Sequence, residues 1–517
     1  MSEMGRRALA IGILSVWVAV LAWHVRREYF RPLAVRLAEA SANLIPVASF
    51  YTITLGDAPI GYAASRIDTV PSGFVLEDDL RLRVRALGSD APASARTRVK
   101  LGDRLDLEDF EFSLRSDFGE FQVGGKMSGD SLLEVRIDAG GDEQRLAVPT
   151  DGPILLPQVL PLHFALGQEP EPGATYTYEV FDPSVLERQR VTMEVIGRDT
   201  IVYPDSVDYD AASAGWIIQR LDTVETWHVR QGFGGIELDS WLDADGQVVR
   251  ATTPLGYTIE RTAFEIAWNR YRDLETNPAG GLAIGAPDII EQTAISVGVD
   301  LPRGERIGEL TVRLRNVDVA GFDLAGGQQR LRGDTLSVSA AALPERVEYR
   351  LPADHDEWPR ELAATPLVQA EDPEIRRAAA EAAGGSADPS VVAQRLNRWV
   401  YERLAKQVTL SVPSAKQVLA ARQGDCNEHT VLYVAMARAL GLPARTAAGL
   451  VYVQGRFYYH AWPEVWLGSW VPVDPTLGQF PADASHLRFV IGGLARQVEL
   501  VRLVGLLELD VVSVEER

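Results

Sequence analysis

Between residues 43 and 276 apolar and polar positions alternate in short runs. Tyr51–Leu55 (YTITL), Leu80–Leu87 (LRLRVRAL) and Thr175–Phe181 (TYTYEVF) show the period of two that sends successive side chains to opposite faces of a strand. Turn signals such as DADG at 243–246 and PEPGA at 170–174 separate the runs. The pattern predicts a β-rich antiparallel region over 43–276, an open or half-closed sheet without an amphipathic helix. Few titratable side chains cluster there, so it reads as a spacer or docking module ahead of a lipid or ligand cradle. Asn277–Pro287 (NPAGGLAIGAP) is a Gly/Pro/Ala-rich break and marks a boundary. Alternation resumes over 288–352, in ELTVRLRNV and TLSVSAAAL, and predicts a small β-sandwich.

The period then changes from two to about 3.6. Asp372 and Pro373 open a helix that Gly384 stops, and a second helix is predicted over Asp388–Val408. Its Val392, Leu396, Trp399, Val400 and Leu404 lie on one stripe, which is the face of a packed core. A third helix of about fifteen residues is predicted to start at Cys426. Asp425 is its N-cap, and Glu428 stands at the capping-box spacing. Leu432, Met436 and Leu440 recur every four residues, Gly441 supplies the stop and Pro443 prevents continuation. Three short aromatic and β-branched runs follow, divided at Gln454–Gly455 and Gly468–Ser469, and predict an antiparallel meander.

The ends and the charge refine this picture. Ala8–Val25 is an apolar run of eighteen residues flanked by arginines. As a helix it spans ~27 Å, enough for the hydrocarbon core of a bilayer. The small-residue sequence AEA at Ala38–Ala40 lies too far downstream to be a signal cleavage site. Residues 1–42 therefore read as an uncleaved anchor and juxtamembrane segment, with the body on the extracytoplasmic side. The net charge of −21 argues against a nucleic-acid partner, whose phosphates need basic patches. One cysteine in 517 residues excludes an internal disulfide and singles out the thiol itself.

Cys426 sits where unpaired N–H groups and the positive end of a helix dipole favour thiolate over thiol. A nucleophile of this kind needs a base and a group to orient it. His460 on the second strand of the meander and Asp474 at the end of the third can meet on one face. His429, one turn after Cys426, is the rival base. Scattered histidines and one cysteine give no zinc spacing, and no acidic cluster has a calcium-loop spacing. Pro463 within HAWPEVW implies a bulge or an edge. Trp462, Trp466 and Trp470 are candidates for an acyl-donor groove, with strand-face packing the commoner role for such residues.

The motifs GDCNEHTVLYVAMARALGLPARTAAGLVY and FYYHAWPEVWLGSWVPVDPT resemble the transglutaminase-like core domain, a papain-type cysteine enzyme fold, over about residues 385–495. The resemblance implies a core of helices on an antiparallel sheet within 353–517; with the β-rich regions and the transmembrane helix read above, the expected fold class is α+β. It implies Cys426 as nucleophile, His460 as general base and acid, and Asp474 as orienting acid. It also implies a thioester passed to an amine or to water, a protein or peptide amide as substrate, and no cofactor or metal. Many bacterial proteins that resemble this core are membrane-attached with β-rich extracytoplasmic regions. Gln417 and Gln423 match no trusted oxyanion position, which leaves the backbone N–H of Cys426 as the donor. The alternative is a catalytically degenerate core serving as an interaction module beside the β-rich domains.

Overall fold

A computed structural model describes residues 33–517 except 118, 141–142, 169, 212–214, 234–235, 277–287 and 303–306. The apolar run Ala8–Val25 and the break Asn277–Pro287 lie outside the described residues. Among the described residues no helix is long and apolar enough to cross a membrane.

Alternation over residues 47–262 becomes one antiparallel sheet of fourteen strands. Its first strand, Val47–Leu55, pairs with its last, Tyr257–Thr262, which joins two meanders side by side. The outer strands are Gln144–Pro149 and Thr175–Asp182. The connection between them bonds back to the second of these: Phe181 donates to the Leu155 carbonyl at 2.8 Å. Phe110 and Phe181, from the two halves, have ring centroids 6.0 Å apart. Leu133, Val180, Met193, Val229 and Leu242 share that core with Leu160, Leu162 and Phe164 of the helix Leu160–Gly167. The sheet thus rolls around this helix. No helical period announces it because LPLHFALG has a single polar residue, His163, and that residue is itself buried. A second helix, Phe264–Thr276, leaves the last strand and packs Tyr271 and Trp268 against Tyr62.

The segment read as a small β-sandwich is instead part of a single four-stranded sheet. Ile307–Arg315, Gln329–Arg332 and Thr335–Ser339 supply three strands, and the C-terminal Glu508–Glu516 supplies the fourth. Each strand has one apolar face, which must be covered by another layer. Leu310, Val312, Leu336 and Val338 find it on Leu450, Phe457 and Phe489 of the neighbouring sheet.

The remaining helices are α1 (Pro373–Ala383), α2 (Pro389–Arg403), α3 (Ala415–Ala421) and α4 (Cys426–Ala439). The sheet beside them comprises β1 (Ala444–Val453), β2 (Arg456–Trp466), β3 (Trp470–Pro472) and β4 (Leu487–Ile491), with Ile295–Ser296 at its edge. Asp372 caps α1 through Glu374 and Ile375, and left-handed Gly384 ends it. The stripe Val392, Leu396, Trp399, Val400 and Leu404 is buried against α4 residues Leu432, Tyr433 and Met436. The second predicted helix ends at Arg403 rather than Val408. Residues 405–406 leave the helix to pair in parallel with 423–424, which carries the chain to the start of α4. Gly441 ends α4 at φ 73°, where a Cβ would also stand 2.3 Å from Pro352.

Candidate active site

Helix α4 begins at Cys426 because Asp425 and Glu428 cap its first turn. The Asp425 carboxylate accepts from the Asn427 N–H at 2.9 Å, and the Asp425 N–H donates to Glu428 at 2.9 Å. The Asp425 side chain also takes the Glu428 backbone N–H, which with the Asp425–Glu428 bond completes a capping box. Glu428 is buried and also accepts from the hydroxyls of Thr409 and Ser411, both at 2.7 Å. Cys426 is half-buried at the helix start and faces Ala461, whose backbone N–H points at the sulfur. Thr430, one turn on, donates to the Ala461 carbonyl at 3.1 Å and fixes the helix to β2.

His460 is the residue before Ala461 on β2. Its Nε2 lies 2.8 Å from Oδ2 of Asp474, which follows β3. The strand ladder explains the meeting: β2 pairs with β3 through Glu464 and Pro472, so the chain beyond Pro472 runs back beside His460. Oδ1 of Asp474 accepts from the N–H groups of Thr476 and Leu477 at 2.7 and 2.8 Å, so the carboxylate is held at both oxygens. Burial would raise its pKa, but His460 and His486 hold it well below the usual carboxylate range.

The sulfur departs from the expectation of a readily ionised thiol. Burial first, then the carboxylates of Asp425, Glu428 and Asp474, push the Cys426 thiol well above its usual value. Desolvation and the acidic shell outweigh the helix terminus. Asp425 is itself pushed up by burial and by Glu428.

The other sequence candidates fall elsewhere. His429 is fully buried; its Nδ1 sits 2.7 Å from the Asp425 carbonyl in its own helix, and its Nε2 has no partner among the described residues. Burial lowers its pKa. Gln417 lies on α3, where its Nε2 donates to the Glu120 carbonyl of the large sheet at 2.9 Å, making it a docking contact. Trp462 is buried beneath the site, with its ring 6.1 Å from His460 and 5.1 Å from His486. Trp466 and Trp470 form a cluster with Trp358 at the far end of β2. Pro463 needs no bulge: β1 and β2 stay in register through it. Its carbonyl accepts from Val473, on the side away from β1, and its missing N–H faces the same way.

Sequence reasoning missed two residues. Gly449 lies opposite His460, and a Cβ there would stand 2.0 Å from the Leu487 carbonyl, so glycine lets β4 approach. His486, just before β4, places Nε2 3.0 Å from Asp474 Oδ2, the oxygen that already holds His460. It stands twelve residues past Asp474 in a loop, where no periodicity marks it. The facing atoms of His460, Asp474 and His486 lie within 4.8 Å of one another, a spacing that three metal ligands also show. Here the separations of 2.8 and 3.0 Å are those of hydrogen bonds.

Residues 376–475 match the family model of the Transglutaminase-like superfamily. No curated protein matches the chain. A solved structure described as a candidate cysteine protease from Cytophaga hutchinsonii is similar at 15% identity and a TM-score of 0.27, over 40% of this chain and 87% of its own. A DUF1089 family protein from Pseudomonas aeruginosa is similar at 14% identity and a TM-score of 0.23, over 36% of this chain and 87% of its own.

Proposed function

Residues 376–475 are a member of the transglutaminase-like superfamily, and from that premise we propose that the chain is a cysteine acyl-transfer enzyme acting on protein or peptide amides. In this reading Cys426 is the nucleophile, His460 the general base and acid, and Asp474 the orienting acid. The observation that carries it is the 2.8 Å bond from His460 to a fully buried carboxylate, on the strand whose next residue faces Cys426.

The chemistry follows from the charges. A thiol held neutral by burial does not ionise into solvent, so its proton must pass to His460 as the sulfur attacks. Asp474 stabilises the resulting imidazolium and fixes its orientation. The sulfur bonds to the amide carbonyl carbon, and the oxyanion takes the backbone N–H of Cys426. His460 then returns the proton to the departing amine, leaving a thioester. An amine or water attacks the thioester, His460 accepts that proton, and the thiol is restored when it is handed back. Replacing Cys426 by Ser should abolish transfer from a glutamine-containing peptide while the folded spectrum stays intact. A variant retaining most of the activity would reject the nucleophile.

Location belongs to the same proposal: Ala8–Val25 anchors the chain in the cytoplasmic membrane as a single pass, with the body on the periplasmic side. Deleting residues 1–32, which stops short of the helix Leu33–Ser41 whose Leu37 is buried in the core of the large sheet, should release a folded, soluble protein. Retention of the truncated chain on membranes after a carbonate wash would contradict this.

A further inference from the structure

The site contains a second histidine that the reaction as described leaves without a task. His486 is buried, and acceptors face both of its ring nitrogens. Nε2 stands 3.0 Å from Asp474 Oδ2. Nδ1 stands 3.3 Å from the Asp483 carbonyl and 3.4 Å from the Asp483 carboxylate. A neutral imidazole has one N–H and would leave one of these sides as two facing acceptors; only the imidazolium donates to both. Within a buried site that charge has a definite effect on its neighbour, because His460 hangs on the same carboxylate oxygen with its ring centroid 6.0 Å away.

We propose that His486 is a positioning residue of this site: a buried imidazolium that balances the charge of Asp474, so that His460 faces a neutralised pair rather than a bare carboxylate. The proposal rests on the reading of Cys426 and His460 as nucleophile and base. Without His486, His460 would face a bare carboxylate in a poorly solvated site. The other charges around His486 do not replace it. Glu464 on β2 and Arg488 on β4 share a small cavity with it, but Arg488 pairs with Glu464 at 3.0 Å, and Arg445 on β1 pairs with Glu464 at 2.6 Å. Asp483 is engaged by the N–H and hydroxyl of Ser485 as well as by His486. Burial disfavours a charged His486, yet the bonds and charges of Asp474 and Asp483 outweigh it and hold the group up to about 9.

The test follows the alkylation of Cys426 by iodoacetamide against pH in the full chain, and needs no substrate. His486→Gln keeps a donor but removes the charge. Removing a nearby cation disfavours thiolate formation at Cys426, so the inflections of the alkylation profile should move up by about 1 pH unit or more, the size expected for a charge ~6 Å away at an effective dielectric constant of ~20 to 40. His486→Lys should return them towards the wild-type positions. If the glutamine variant fails to fold, the smaller neutral His486→Asn carries the same expectation. A folded neutral variant whose inflections coincide with those of the wild type would overturn the proposal and leave His486 a packing residue. Failure of the underlying reading looks different: His460→Ala would then have the wild-type profile, whatever His486 does.

Discussion

Cys426 starts from a disadvantage, since burial and three carboxylates oppose its ionisation. The helix terminus alone does not restore the thiolate, so the account places most of the activation on His460. Replacing His460 by Ala removes the group that accepts the thiol proton in the proposed mechanism. Transfer should fall by ~10²–10⁴-fold, and the alkylation of Cys426 should shift to higher pH. His429→Ala should leave both nearly unchanged, because that ring is committed to the Asp425 carbonyl within its own helix. A shifted alkylation profile in His429→Ala with none in His460→Ala would move the base onto the helix. At this scale Cys426, His460 and Asp474 were visible in the sequence through their placement at a helix start, on a strand and at a strand end. His486 was not, because its place beside Asp474 depends on how the loop after Asp474 folds back. The thiol's environment was also illegible: Asp425 and Glu428 read as capping residues, and the same two carboxylates act on the sulfur as charges.

Among the elements, α4 was the most legible. Its cap, apolar spacing and glycine stop are all local chemistry, and the observed Cys426–Ala439 starts at the predicted residue. Helix α2 was read too long because its end is decided by a non-local pairing with residues 423–424. The helix inside the rolled sheet was missed because a nearly all-apolar sequence has no polar face to reveal a period. The capping box makes a prediction of its own. Glu428 is buried and accepts from the Asp425 N–H and from two hydroxyls of the segment before α3. Glu428→Ala leaves these donors unsatisfied and should cost about 1–3 kcal/mol in urea unfolding. Glu428→Gln should recover part of that, since the amide oxygen can still accept. An alanine variant as stable as the wild type would mean that the box does not hold the helix start.

Across the whole molecule, the large sheet and the helical core are joined at α3 and the segment before it. Ser414 donates to the Ala139 carbonyl at 2.5 Å, Gln417 to Glu120 and Gln144 to the Pro366 carbonyl at 3.2 Å. Val412 completes the apolar core of the sheet. The same segment carries Thr409 and Ser411, whose hydroxyls hold Glu428 behind the nucleophile, so the sheet and the start of α4 are connected through a few residues. This joint could not be read from sequence, because alternation locates strands and says nothing of which strand end meets which helix. The four-stranded sheet gives the same lesson: its fourth strand, Glu508–Glu516, is far along the chain from the strand Ile307–Arg315 that it pairs with, and only the fold brings the two together. Covalent capture of Cys426 reads the proposed chemistry of this assembly without a native substrate. The full chain is treated with p-nitrophenyl acetate near neutral pH, quenched in acid and read by peptide mass mapping. The account predicts one acetyl group on Cys426, released by hydroxylamine as a thioester is, absent in Cys426→Ser and formed far more slowly in His460→Ala. An unmodified Cys426, or an adduct that forms at the wild-type rate without His460, would contradict it.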